Sequence, residues 1–212
     1  GAYNGINVIS SDYTVSRGDL VELYGEYVEY YGKSEISEPE NLDILSSGNP
    51  LPEPEVLSLS QADWEPWEGV LIQIQNVAVS NDDAEYGEWD VSDLSGANTM
   101  RIDNAGNYTY SPSNGDQFVS ITGPLNYTFN EYKIIPREDD DLVQANPPVI
   151  SNVSYSPSVP TEGIDVIASV VITDNGSIST AVLIYDAGSG EIEVSMANTT
   201  GNTYEGTIPT QV

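Results

Sequence analysis

The chain has no cysteine and no histidine, and only 5 of its 212 residues are Lys or Arg. Without cysteine there is no disulfide, no thiolate nucleophile and no sulfur-ligated metal, although the compartment stays undecided. Without histidine the usual general base, the serine triad and most zinc sites are excluded. Against 34 Asp and Glu, the shortage of cations gives a formal charge of −29. Such a field repels phosphate backbones and anionic lipid, so neither a nucleic-acid partner nor membrane insertion is expected. No apolar run approaches the ~18 residues that span a bilayer, and helical periodicity is nearly missing. Gly1-Ala2-Tyr3-Asn4 has neither the basic start nor the apolar core of a signal peptide. The sequence therefore reads as a mature product or as a piece of something longer.

What is present is β sequence, twice over. Asn, Asp, Ser, Gly and Pro recur every ten residues or so, separated by short runs of Val, Ile, Tyr and Thr, the spacing of sandwiches and barrels. The runs predict strands over 5–9, 20–24, 27–31, 34–36, 69–79, 88–92, 99–103, 118–122, 125–129 and 132–135. Five more are predicted over 149–156, 164–173, 180–186, 191–197 and 203–208. Residues 17–45 and 114–143 share one order of turn, strand, glycine, strand, turn and strand, which implies two copies of one module. Gly18-Asp19 pairs with Gly115-Asp116, Gly25 with Gly123 after a one-residue insertion, Tyr31 with Phe129 and Ile36 with Ile134. Upstream, Gly5-Ile6-Asn7-Val8 aligns with Thr99-Met100-Arg101-Ile102. The first copy thus has nothing equivalent to residues 64 to about 98.

Two proline-bearing connectors, Asn49-Pro50-Leu51-Pro52-Glu53-Pro54-Glu55 and Gln144-Ala145-Asn146-Pro147-Pro148, are stiff and extended. They delimit a partial unit 1–48, a linker 49–55, a complete unit 56–143, a linker 144–148 and a third unit 149–212. For the middle unit a five-stranded small barrel is the economical solution, since closure removes the edges. The Gly-Asp-Leu-Val-Glu-Leu-x-Gly and Glu-Tyr-Tyr-Gly-Lys-Ser-Glu-Ile series of the first copy resembles the OB-fold-type module of secreted bacterial proteins, some of them extracellular nucleases and others large surface proteins. The second copy resembles it through Glu68-Gly69-Val70-Leu71-Ile72, Gly115-Asp116 and Lys133-Ile134-Ile135-Pro136-Arg137. Residues 147–209 resemble Ig-like modules of the same surface proteins, through Pro148-Val149-Ile150-Ser151, the strand from Val166 to Asp174, Met196 and Tyr204-Glu205-Gly206-Thr207-Ile208-Pro209. The fold class expected is all-β: two OB-like barrels, the first incomplete, and an Ig-like β-sandwich. That sandwich is also short, since its seven strands normally take ~100 residues.

Candidate sites follow, each with a plainer account beside it. Asp82, Asp83, Glu85, Asp90 and Asp93 crowd one loop and strand, and Glu138 precedes the run Asp139, Asp140, Asp141. Calcium takes several carboxylate and carbonyl oxygens on turns, so either cluster could hold it; neither has EF-hand spacing, and solvated loop charge is the competing account. No other cofactor is implied. Tyr24, Tyr27, Tyr30, Tyr31, Tyr127, Phe129 and Tyr132, with Trp64, Trp67 and Trp89, could stack sugar rings or simply stabilise the sheet as cross-strand pairs. Sequons stand at Asn107, Asn126, Asn152, Asn175 and Asn198 and agree with an exported, glycosylated surface. Arg17-Gly18-Asp19 spells an integrin-type tripeptide, but its repeat partner Asn114-Gly115-Asp116 points to a shared turn. Acid pairs suited to glycoside hydrolysis are too numerous to choose among, and no catalytic signature is present.

The expected role is a non-catalytic structural or adhesive segment of an exported prokaryotic surface protein. The strands that each end lacks come either from a longer precursor of which this is a piece or from another chain; as a fibre subunit it would assemble head to tail by β-strand complementation, with neighbouring modules or a glycan as other partners. The alternative is an accessory, substrate-positioning region of a secreted hydrolase or nuclease.

Overall fold

The computed structural model describes residues 1–188 and 190–210. The chain is all-β, with 3-10 turns at Glu65–Trp67 and Asp139–Asp141 as its helical elements among the described residues, and divides into two compact units, Gly1–Gln144 and Ala145–Val212. Twelve strands make up the first unit. They are β1 (Asn7–Ile9), β2 (Leu20–Tyr24), β3 (Tyr27–Tyr30), β4 (Lys33–Ser37), β5 (Asn41–Ser46), β6 (Glu55–Val56), β7 (Leu71–Asn81), β8 (Trp89–Asp93), β9 (Thr99–Ile102), β10 (Gln117–Thr128), β11 (Glu131–Ile134) and β12 (Leu142–Gln144).

Strands β7 to β11 form a ring. β7 pairs antiparallel with β8 and β8 with β9; β9 runs parallel to β11; β11 pairs antiparallel with β10, which returns to β7. β6 and β12 lie on β7 and β10 outside it. Alternation along each strand sends Ile72, Ile74, Trp89, Val91, Ile102, Ile121, Leu125 and Ile134 inward, and all eight are shut off from solvent. Full burial of such a side chain contributes about 1.5–3 kcal/mol. The phase slips once in β7, where Asn76 takes φ +52 and Gln75 and Asn76 both face out; Asn tolerates that conformation better than most residues. Trp89 packs on Tyr110 and Phe118, and its indole N–H donates to the Tyr108 hydroxyl at 3.1 Å. The large aromatic is thereby buried without an orphaned donor.

The second unit carries β13 (Val149–Ser156), β14 (Val166–Thr173), β15 (Val182–Asp186), β16 (Glu191–Ser195), β17 (Ala197–Thr200) and β18 (Thr203–Ile208). One sheet has the order β13-β14-β18-β17; β15 and β16 form a separate hairpin. Of its described large apolar side chains only Val170 and Ile172 are buried, whereas Val149, Ile150, Val153 and Tyr155 of β13 are exposed. An apolar cleft of about 360 Å³ separates the two sheets, lined by Ile150, Ile172, Leu183 and Met196 among others.

The barrel and the first repeat make a paired stability test. Ile134→Ala should cost about 2–5 kcal/mol, as for a well-packed core aliphatic. Its repeat counterpart Ile36, only half-buried, should cost less than half as much in dilute solution. Urea unfolding of both variants measures the difference; equal costs would mean the first repeat has a closed core.

Candidate functional site

The candidate site is the first repeat, because its pairings reproduce the barrel and then stop. β1 runs parallel to β4 with Asn7 opposite Glu35 and Val8 opposite Ile36. In the barrel β9 runs parallel to β11 with Arg101 opposite Lys133 and Ile102 opposite Ile134. These are the aligned residues in the same register. β3 and β4 match the far half of β10 and β11, and β2 with β5 matches the near half of β10 with β12. The one-residue insertion of the second copy is taken up as a bulge at Val119, where β10 gains a residue on β12. Gly25 and Gly123 are needed for one reason. A Cβ on Gly25 would sit 2.6 Å from Ile36 Cγ2, and one on Gly123 would sit 2.3 Å from the Ile135 carbonyl oxygen.

The Gly-Asp turns coincide too. Asp19 accepts from the Ser16 amide at 2.8 Å and Asp116 from the Ser113 amide at 3.2 Å. Arg17 is held by Glu138 at 2.7 Å. The Arg-Gly-Asp tripeptide is therefore a turn whose acid faces its own backbone.

The first repeat has no counterparts of β7 and β8. The edges these strands would occupy, on β2, β3 and β1, carry no partner strand among the described residues. Ile6 is 40% exposed where Met100 is 4%, and Val8 is 36% exposed where Ile102 is 0%. Val21 and Ile36 are half-buried where Phe118 and Ile134 are enclosed. No apolar residue of β1 to β5 belongs to the buried core. The inner face of a barrel stands open.

A tight joint fixes this open repeat to the barrel. The backbones cross at Gly5 and Gly69, where a Cβ on Gly5 would fall 2.1 Å from the Gly69 carbonyl carbon. The Tyr3 amide donates to the Pro66 carbonyl at 2.6 Å. Beside the crossing Glu68 is buried; its Oε1 accepts from Asn7 Nδ2 and the Ser34 amide, while its Oε2 has no partner. Burial raises its pKa from the ordinary 4.5 to about 7 against the Ser34 hydrogen bond; Glu65 and Glu29 add to the rise and Lys33 opposes it. Nothing in the sequence marks its burial, because its neighbours Asn7 and Ser34 come from the other repeat.

All five cations are used inside the fold. Arg101 bonds Glu88, Asp90 and Glu131, Lys133 bonds Glu88 at 2.5 Å, Arg137 bonds Asp141, Lys33 bonds Glu35 and Arg17 bonds Glu138. Hydrogen bonds with both ends charged are the stronger kind, and the buried Lys133 would be costly unpaired.

The acidic clusters disperse onto separate partners. Asp82 accepts from the Asn114 amide, Asp90 serves Arg101, and the Asp83 amide donates to Asn81. Asp93 folds onto its own turn, where the Ser95 hydroxyl and then Asn98 hold its pKa at about 2. Asp139 takes the Thr109 amide and hydroxyl, Asp140 is exposed, and Asp141 is buried on Arg137. Among the described residues no three potential metal ligands converge. Of the sequons, Asn107 and Asn152 are exposed and Asn126 is half-buried in β10. Asn175 accepts from the Asn146 amide, and Asn198 donates to the Gly201 carbonyl.

The aromatics separate into two groups. Trp64, Trp67, Trp89 and Tyr132 pack on or in the barrel core, and Tyr127 lies 4.7 Å from Tyr132. Tyr24, Tyr27, Tyr30, Tyr31 and Phe129 face solvent, as does Tyr86, which the sequence does not single out. Tyr31, Tyr86 and Phe129 take φ +51, +52 and +55, a left-handed conformation that costs bulky residues on the order of 1–3 kcal/mol each. No family model matches the chain, and neither the curated proteins nor the solved structures hold a significant match.

Glu68 gives the joint a defined pH response. Its folded pKa lies above the unfolded one, so the folded state keeps its proton longer and stability falls as pH rises from about 4.5 to about 7. Glu68→Gln should flatten that part of the profile, raising the thermal midpoint at pH 8 and leaving it unchanged near pH 4. Parallel slopes in parent and variant would show that Glu68 ionises without cost.

Proposed function

We propose that this chain is a non-catalytic structural or adhesive segment of an exported, cell-surface prokaryotic protein, and that it builds a fibre by β-strand complementation between chains. The observation that carries the reading is the shared register of the two repeats. The barrel defines what the first repeat needs: a long strand antiparallel to β2 and β3, and a second strand antiparallel to β1. By the register of β8 on β9, an apolar residue in the place of Trp89 would face Val8, and one in the place of Val91 would face Ile6. A strand pair from another chain meets these requirements by β-augmentation, with backbone bonds for affinity and alternate side chains for specificity. The ring order, with its parallel closing pair β9–β11, favours an OB-type module. The two sheets of 145–212, with β13 exposed and a cleft between them, favour an Ig-like module with apolar surface to spare for a neighbour. Exposed Asn107 and Asn152 suit an extracellular setting. Self-contained cations leave nothing to recruit phosphate, in keeping with a protein or glycan partner.

Light scattering after size exclusion, with electron microscopy of the same fractions, tests the reading. Mass should grow with concentration and with salt, because screening shrinks from about 10 Å at 0.1 M to about 3 Å at 1 M and relieves repulsion between acidic chains. Val8→Asp and Ile36→Asp should abolish growth while tryptophan emission from the barrel stays native. A peptide of residues 64–98 should cap the face and stop extension. A folded monomer at every concentration in 1 M salt, indifferent to the peptide, would rule the assembly out.

A further inference from the structure

Two of the strained aromatics, Tyr31 and Phe129, meet in one place. The connection from β3 to β4 is Tyr31-Gly32 and that from β10 to β11 is Phe129-Asn130; all four residues have positive φ, at +51, +84, +55 and +63. Two-residue turns of this kind prefer Asn or Gly at both positions. Each repeat instead puts an aromatic first, where it is 84% exposed for Tyr31 and 94% for Phe129. A ring held there in a disfavoured conformation and turned to water adds nothing to the core, and such outliers point toward function.

The two hairpin tips stand side by side. A Cβ on Gly32 would lie 2.8 Å from Tyr127 Cε1, and between the tips runs a cleft of about 490 Å³. Tyr30 and Tyr31, edge to face at 4.8 Å, line one side; Tyr127, Phe129 and Asn130 line the other. The volume suits a small-molecule or oligomer subsite. The phenol oxygens of Tyr30, Tyr31 and Tyr127, the Thr128 hydroxyl and the Asn130 amide make no hydrogen bond within the described residues. Lys33, the charged residue of the lining, is neutralised by Glu35 at 2.9 Å, and Lys133, 5.6 Å from the Phe129 ring centroid, by Glu88.

We propose that this cleft between the two repeat hairpins binds a neutral glycan chain. Flat ring faces match the C–H faces of pyranose rings, and unengaged hydroxyls and an amide match their hydroxyl rims, as amphipathic Tyr does at other wet interfaces. A cleft with no unpaired charge, on a chain of formal charge −29, selects against sulfated or uronate-rich polymers by repulsion. The proposal is independent of strand complementation, since it uses the outer tips of the hairpins and leaves the open inner face untouched.

Titration calorimetry of the whole chain tests it, with hexamers of β-1,4-linked glucose, N-acetylglucosamine and mannose as probes. Saturable binding of at least one is expected, weakened about tenfold or more by Tyr31→Ala or Phe129→Ala and unaffected by Tyr24→Ala, an exposed tyrosine outside the cleft. Tyr31→Gly and Phe129→Gly should abolish binding while raising the thermal midpoint, because glycine relieves the turn; this separates a lost site from a lost fold. Silence with all three hexamers, or binding that ignores both aromatic positions, overturns the proposal. So does a change of oligomeric mass with Phe129→Ala at unchanged hexamer affinity, which would make the cleft a protein contact.

Discussion

Everything in the first unit follows from one requirement: the inward face of a small strand ring must be covered from both directions around the ring. A strand supplies an apolar side chain only at every second residue, so a single sheet cannot bury its own face and needs the ring to curl back on it. In the second repeat β7 and β8 complete that circuit, and Trp89, Ile102 and Ile134 become inaccessible. In the first repeat the same positions carry the same kind of residue with the circuit broken. Each half-exposed Ile or Val there forfeits part of the about 1.5–3 kcal/mol that full burial contributes. Several such positions together approach a sizeable share of the 5–15 kcal/mol that holds a whole domain folded. The repeat persists in this state because the joint at Gly5 and Gly69 attaches it to a barrel that is complete.

Charge is distributed by the same economy. Five cations among 34 acids cannot neutralise a surface, and the fold places none of them there alone. Arg101 and Lys133 draw three carboxylates onto the outside of β8, β9 and β11, and Arg137 fixes the end of the barrel through Asp141. In the first repeat the matching strand positions reverse sign: Lys33 and Glu35 stand where Glu131 and Lys133 stand in the second. The pair then closes within one strand, since Glu88 and Asp90 have no counterparts to bond across. What remains is a long-range negative field opposing the approach of any second copy, so the proposed association would rest on apolar contact and backbone pairing rather than on ion pairs.

Much of this was legible in the residues. The Gly-Asp turn, the glycine at 25 and 123 and the pairing of Ile36 with Ile134 locate equivalent strands, and the register follows once period two is imposed. The lack of counterparts to β7 and β8 within residues 1–48 was equally plain, since nothing in 1–16 resembles Leu71 to Val91. Less was visible where pattern and geometry part. Gly123-Pro124 reads as a break between two strands, yet β10 runs on through it in register with β7, because Pro124 at that point needs no amide of its own to stay in the sheet. β5 and β12 alternate too weakly with acids to stand out, and they form because β2 and β10 offer an edge. Tyr31 and Phe129 read as the ends of strands, whereas they begin left-handed turns, which no propensity for a large aromatic would suggest. The Glu68 oxygen without a partner depends on three segments far apart in sequence.

The composition of the open face decides how it should be understood. An antiparallel sheet with one side in water ordinarily alternates apolar and polar residues, keeping polar ones on the wet side. In the first repeat the opposite positions carry charge and amide groups that find partners, Asn7 on Glu68 and Lys33 on the buried Glu35. Its inward positions, Ile6, Val8, Val21 and Ile36, stayed aliphatic although nothing in β1 to β5 encloses them. If water were the permanent neighbour of that face, the side chains best placed to become polar at the least packing cost would be these four. Their character is that of an interior, which is consistent with a working state in which strands from elsewhere lie across them.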